Sequence, residues 1–260
     1  MKKLIALILV VICIVVAVII FLSQKPPEPP IPNTPPSVTN THVMAKDIEI
    51  REEPQLNRST RMVIDTKKPR ILNLGNFENQ ELINQKISDA VKPYISEINM
   101  MTEGLTTREE NDNIMDTKQY EYIVTYDRYN NDIYLSLVLN QNINISLADI
   151  YEGGLRSNKW KDTYNVNCDT STQVYLKDIC GFANYKAEIL DEVNKLAKQR
   201  NIKLVGGSEL TELSDTQRFY IKDGKLIVYF EPASIAPYLN GELEFEMPFT
   251  FDETTHKFVK

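Results

Sequence analysis

From Leu4 to Leu22 the chain runs for 19 residues without a charge, a glycine or a proline. As a helix rising 1.5 Å per residue this segment reaches roughly 28 Å, about the thickness of a bilayer's hydrocarbon core. Lys2 and Lys3 precede it and only Lys25 follows closely. That bias favours a cytoplasmic amino terminus. A cleaved signal peptide has a shorter apolar core, ~7–15 residues, ending at a small-x-small site. The exit Phe21-Leu22-Ser23-Gln24-Lys25 offers no such site. A lipid anchor at Cys13 would need a small residue just before it, and Val10-Val11-Ile12 supplies none. The expectation is an uncleaved signal anchor over residues 4–22, with cleavage and secretion as the alternative. Residues 1–3 would lie in the cytoplasm and everything after the span outside the cell membrane.

Seven of the 13 prolines fall between Pro26 and Pro36. Proline fixes φ and removes a donor, so residues 23–42 are expected to form an extended, semi-rigid stalk. Beyond it the composition is ordinary. Residues 37–260 carry 26 Lys and Arg against 35 Asp and Glu, a net charge of −9. A nucleic-acid binder would show a basic footprint instead.

Periodicity divides the remainder into two α+β halves, 43–150 and 151–260, rich in antiparallel sheet and holding two main helices. Val43–Glu53 and Arg58–Thr66 contain residues spaced by two and are expected to pair as a hairpin. Ile83, Ile87, Val91, Tyr94, Ile98 and Met101 recur at helical spacing, with Pro93 expected to kink or break that helix near Val91. Glu103–Lys118 is polar and reads as a loop. Tyr120, Tyr122, Val124 and Tyr126 alternate with polar residues, and Asn130-Asn131-Asp132 turns the chain into Ile133–Ile145. Lys159–Asn167 and Gln173–Leu176 read as strands, Asn184–Arg200 as a second helix. Asp223-Gly224 joins Arg218–Lys222 to Lys225–Phe230, and Glu242–Phe251 reads as the last strand.

Catalytic signatures are missing. Gly153-Gly154 and Gly206-Gly207 are isolated pairs without phosphate-loop spacing, and no HExxH or activated-serine motif occurs. The two histidines, His42 and His256, lie at opposite ends of the post-span sequence. No cofactor or metal is expected. Glu242, Glu244 and Glu246 alternate with Leu243, Phe245 and Met247, which places three carboxylates on one strand face. A solvated face is the expected use, a glycosidase-like pair the alternative. Asn165–Thr170 places oxygen ligands in a turn but lacks the glycine and distal Glu of a calcium loop. Cys168 and Cys180 are candidates for a disulfide, with two separate buried thiols as the other reading.

The stretch Phe219-Tyr220-Ile221, Leu226 to Pro232, Ser234-Ile235-Ala236-Pro237-Tyr238 and Glu244-Phe245-Glu246-Met247-Pro248-Phe249 resembles a bacterial extracytoplasmic domain of unknown function. That domain forms the sensor end of RsiV-like anti-sigma factors, which bind lysozyme. Residues 43–145 resemble the domain that precedes it, also found in PdaC-like peptidoglycan deacetylases. The chain departs from the pattern at Gly153-Gly154-Leu155-Arg156, where the family often has Gly-Gly-Ala-His. A sigma-factor-binding segment is not expected either, since three residues precede the span. A deacetylase role is not expected either, for want of a metal-binding His/Asp catalytic domain.

The resemblance and the composition together imply a membrane-anchored extracytoplasmic binding or sensor domain of a Gram-positive-type envelope, without catalysis. Its expected partner is a lysozyme-like protein or peptidoglycan. An acidic surface suits a basic partner through complementary steering. The candidate contacts are Glu109 and Glu110 in the acidic loop, Tyr120 and Tyr122 in the tyrosine-rich hairpin, and Tyr238 at the proline corner. The alternatives are a carboxylate-dependent cell-wall enzyme and a structural envelope protein.

Overall fold

Six strands pair in sequence order to make the larger sheet: β1 (Ile50–Arg58), β2 (Met62–Ile71), β3 (Gln119–Asn130), β4 (Tyr134–Leu147), β5 (Gly154–Asn167) and β6 (Thr172–Gln173). These come from a computed structural model that describes residues 43–260 except 60, 113–118, 148–153, 208 and 238–239, with backbone alone at 103–112, 146–147 and 154–157. The expected anchor and stalk lie outside the described residues. Among the described residues no helix is long and apolar enough to cross a membrane. The division expected near residue 150 also falls outside them, between β4 and β5, which pair along their length.

All neighbours in this sheet are antiparallel except β2 and β3, which run parallel from Met62↔Tyr120 to Thr66↔Val124. Parallel neighbours need a crossover, and helix α1 (Phe77–Asp112) supplies it. Asn76 starts the helix, its Oδ1 accepting from the Asn79 N–H at 3.0 Å. Ile83, Ile87, Val91 and Ile98 face the sheet and bury Ile64, Tyr122, Val124, Leu135, Leu137, Leu139, Trp160 and Tyr164. Two buried amides fix the helix to the end of β2. Asn84 exchanges both bonds with the Ile71 backbone, at 2.8 and 2.9 Å, and Gln80 accepts from the Leu74 N–H at 3.0 Å.

The helix differs from expectation in two ways. It runs through Pro93, because apolar contacts on both sides of the proline press the same face to the same sheet. The one backbone bond lost there is small beside burial worth ~1.5–3 kcal/mol per large side chain. It also continues to Asp112, so Glu103–Asp112 is helix and not loop; its three glutamates, Leu105 and Arg108 favour helix, although Gly104, Thr106 and Thr107 do not.

The smaller sheet is β7 (Phe219–Lys222), β8 (Lys225–Phe230) and β9 (Leu243–Glu246), all antiparallel. Asp223 and Gly224 both have positive φ, 51° and 72°, as the two-residue hairpin turn demands. One face of this sheet joins Ile189, Val193 and Ala197 of α3 (Tyr185–Gln199) in a second core containing Phe219, Ile221, Val228, Phe230 and Phe245. The expected strand Gln173–Leu176 is instead a two-residue strand followed by the short helix α2 (Leu176–Ile179). The Tyr175 N–H donates to the Asp178 carboxylate at 2.8 Å and starts that turn of helix.

After β9 the chain makes a further hairpin, β10 (Thr250–Asp252) and β11 (Lys257–Val259), where sequence reading gave one strand and a polar tail. Phe258 is fully buried in the second core. His256 sits in the hairpin turn, its carbonyl accepting from the Tyr134 hydroxyl at 2.9 Å.

The two sheets meet through the other face of β7 and β8. Tyr220 stacks on Tyr129 at 5.4 Å, and Ile227 packs with Val138. Where β7 has no strand beside it, side chains of the larger sheet take its backbone. Asn165 Nδ2 donates to the Phe219 carbonyl at 2.7 Å, the Ile221 N–H donates to Ser136 Oγ at 3.0 Å, and Ser136 Oγ donates to Asn165 Oδ1 at 2.6 Å.

Candidate ligand-binding clefts around Arg218

Trp160, Asp162 and Tyr164 alternate along β5 toward α1, so a carboxylate stands in an otherwise aromatic row. Its side chain is 17% exposed and fully engaged. Asp162 Oδ2 accepts from Gln141 Nε2, and Gln141 Oε1 accepts from the Tyr122 hydroxyl. Asp162 Oδ1 accepts from Arg218 Nη2 at 2.7 Å. The hairpin register places Arg218 and Glu231 side by side, because the Tyr229 N–H donates to the Arg218 carbonyl at 3.0 Å, and Arg218 Nη1 pairs with Glu231 Oε1. The guanidinium is thus held between two carboxylates.

Behind this pair lies an aromatic cluster. Tyr94 of α1 tilts against Trp160 at 4.7 Å and against Tyr122 at 5.8 Å. Burial pushes the Tyr122, Tyr164 and Tyr94 hydroxyls above their ordinary range, and the Asp162 charge adds to each.

Three clefts meet at Arg218. The first, about 380 Å3, lies between Asp89 and Tyr94 of α1, Asn158 and Trp160 of β5, and Glu231-Pro232. The second, about 730 Å3, is walled by Glu212–Gln217, the Phe230–Glu231 strand end, Ile235 and Lys186. Lys186 and Asp215 pair across it at 2.5 Å, which raises the lysine and lowers the aspartate. The third, about 310 Å3, runs along Asp162–Asn165 and Tyr175. Together they carry five carboxylates, Asp89, Asp162, Glu212, Asp215 and Glu231, against two cations, Arg218 and Lys186, both already paired.

The residues singled out from sequence are not brought together. Tyr122 is fully buried and Tyr120 nearly so, both under α1, so neither forms a contact surface; the alternation marked the core face and not the exposed one. Glu109 and Glu110 fall on the last turns of α1, where only the backbone is described, and Tyr238 and His42 lie outside the described residues. Cys168 and Cys180 are not bridged. Each is a free thiol in a different core, and burial pushes each up to about 12.

Glu244 and Glu246 alternate along β9 with buried Leu243 and Phe245, while Glu242 lies just before that strand and buried Met247 just after it. Glu244 pairs with Lys161, while Glu242 accepts from the Tyr229 hydroxyl at 3.4 Å. The Asn165–Thr170 turn is held by its own asparagine, Asn167 Oδ1 accepting from the Asp169 and Thr170 N–H groups. Among the described residues no group of three His, Cys, Asp or Glu side chains is placed to hold a metal ion. Sequence reading passed over Tyr94, Trp160, Asp162 and Arg218; the signal available was an acid two residues after the single tryptophan, on the inward side of a strand.

Residues 176–250 match the family model described as a protein of unknown function, DUF3298. The chain carries a DUF3298 domain. This segment supplies Arg218, Glu231, Lys186 and the whole second cleft, whereas Tyr94, Trp160 and Asp162 lie upstream of it. Among solved structures, a DUF3298 family member from Bacteroides fragilis superposes with a TM-score of 0.51 at 13% identity, covering 82% of this chain and 94% of its own. A DUF3298 family protein from Pseudomonas aeruginosa PAO1 gives a TM-score of 0.42 at 11% identity, covering 77% and 89%. The Bacteroides structure shows a shared fold that extends well beyond the matched segment. No curated protein matches the chain.

Proposed function

We propose that the chain is a membrane-anchored extracytoplasmic recognition protein of the bacterial envelope, and that its partner is a basic protein of the lysozyme kind. The observation that carries this reading is the charge of the clefts, five carboxylates against two cations that are themselves already paired. The surplus matches the net charge of −9 on residues 37–260. Such a surface attracts a cationic partner at long range and orients its approach. The anchor and stalk read from residues 4–42 hold this face outside the membrane.

The test is binding of lysozyme to the full chain in detergent micelles. Micromolar affinity at 50 mM salt, falling at least tenfold at 500 mM as the Debye length shrinks, is the expected result. Failure to bind at micromolar concentration, or binding that ignores salt, overturns the reading.

A further inference from the structure

The cleft beside Tyr94 is too small for a folded partner but large enough for one long side chain, at about 380 Å3. Its charged groups are three carboxylates, Asp89, Asp162 and Glu231, against one cation, Arg218; Asn158 adds a side-chain amide. Asp162 is consumed, with one oxygen on Gln141 and the other on Arg218. Arg218 is consumed too, both terminal nitrogens being paired with carboxylates. Two carboxylates keep spare capacity. Glu231 is 45% exposed and binds Arg218 through Oε1 alone. Asp89, 57% exposed, accepts from Gln85 at 2.6 Å and holds Lys92 at 3.3 Å through Oδ1. The Lys92 pair is exposed on both sides and worth little, so a better donor displaces it. Tyr94 lines the same cleft, half-buried and backed by Trp160.

An anion would have to expel a carboxylate from Arg218. A neutral ligand would leave the cleft's surplus of negative charge uncompensated. A guanidinium or ammonium group donates only, and it is attracted to the face of an aromatic ring.

We infer that this cleft receives a cationic side chain, an arginine or lysine of the partner, against Tyr94 and between Glu231 and Asp89. The inference rests on the basic-partner reading and locates its point of attachment. It gives the proline corner a use, since Glu231 and Pro232 form one wall.

Trp160 is the only tryptophan, so its emission reports on this cleft. The full chain in detergent micelles is titrated with N-acetyl tetra-arginine amide, with the tetra-lysine analogue and with chitotetraose. The expected result is a saturable change in Trp160 emission with the cationic peptides and none with the sugar. Half-saturation should rise at least tenfold in Tyr94→Leu and about threefold or more in Asp89→Asn, an exposed site at which the fold is safe. A response to chitotetraose alone, no response to any probe, or equal affinity in Tyr94→Leu and Asp89→Asn overturns the inference. If lysozyme binds Tyr94→Leu as tightly as it binds the parent, the recognition reading stands and this attachment point falls. If tetra-arginine binds here and lysozyme does not, the attachment point stands and the choice of partner falls.

Discussion

Arg218 Nη2 lies 2.7 Å from Asp162 Oδ1, so the residue that precedes β7 is tied to the middle of β5. Replacing Arg218 by Met leaves Asp162 and Glu231 facing each other without a cation. A fully buried pair broken in this way costs roughly 3–5 kcal/mol. Here the Arg218 side chain is 33% exposed, and solvent screening reduces the loss to about 1–3 kcal/mol. Urea unfolding should show a lower midpoint with an unchanged slope.

The Ser136–Asn165 pair closes the edge of β7, and its loss should be felt even though no charge is involved. Asn165→Leu removes the donor to the Phe219 carbonyl and the acceptor of Ser136, leaving buried groups unmade. The expected cost is about 1–3 kcal/mol, with Ser136→Ala at the lower end. Thermal unfolding of both variants against the parent checks the order.

What could be read in advance was what local chemistry decides. Asn130-Asn131-Asp132 and Asp223-Gly224 are turn sequences, and strands β3–β4 and β7–β8 follow from them. The helix from Tyr185 to Gln199 follows from Tyr185, Ile189, Val193 and Leu196. The parallel pairing of β2 with β3 could not be read, since it depends on where a 36-residue helix returns the chain. The tail hairpin could have been, because Phe251 and Phe258 flank a polar turn and pair across it. The clefts were out of reach for another reason. Arg218 and Asp162 are 56 positions apart and gain meaning only when two sheets are stacked.

Cys168 and Cys180 should resist a thiol reagent in the native chain at pH 8, each being buried and held up at about 12. Both should become reactive together, and only on unfolding in urea. Rapid native labelling of either would contradict their separate burial in two cores.

Alkaline pH should destabilise the fold. The two thiols and the hydroxyls of Tyr122, Tyr164, Tyr220 and Tyr229 are all raised in the native state, with burial the leading cause. In the unfolded chain they ionise first, so the native state binds more protons as pH climbs. Stability is therefore full below pH 9 and falls from there toward pH 12, by about 1.4 kcal/mol per pH unit for each group lagging behind. Urea midpoints measured from pH 7 to 11 give the slope.

Phe258→Ala should cost about 3–5 kcal/mol, the penalty for emptying a fully buried aromatic site. A midpoint close to the parent's would mean that the tail hairpin contributes little to the second core.

That core draws Ile133 and Tyr134 from the start of β4 and Phe258 from the end of the chain, on either side of residues 176–250. The matched segment is therefore not a transplantable module. A lineage that acquired it alone would inherit Phe219, Val228 and Phe245 packed on α3 but without Ile133, Tyr134, Val174 and Phe258, which complete that core. Gene fusions and deletions should accordingly cut outside β4 and β11, so that the two sheets are gained or lost as one heritable piece.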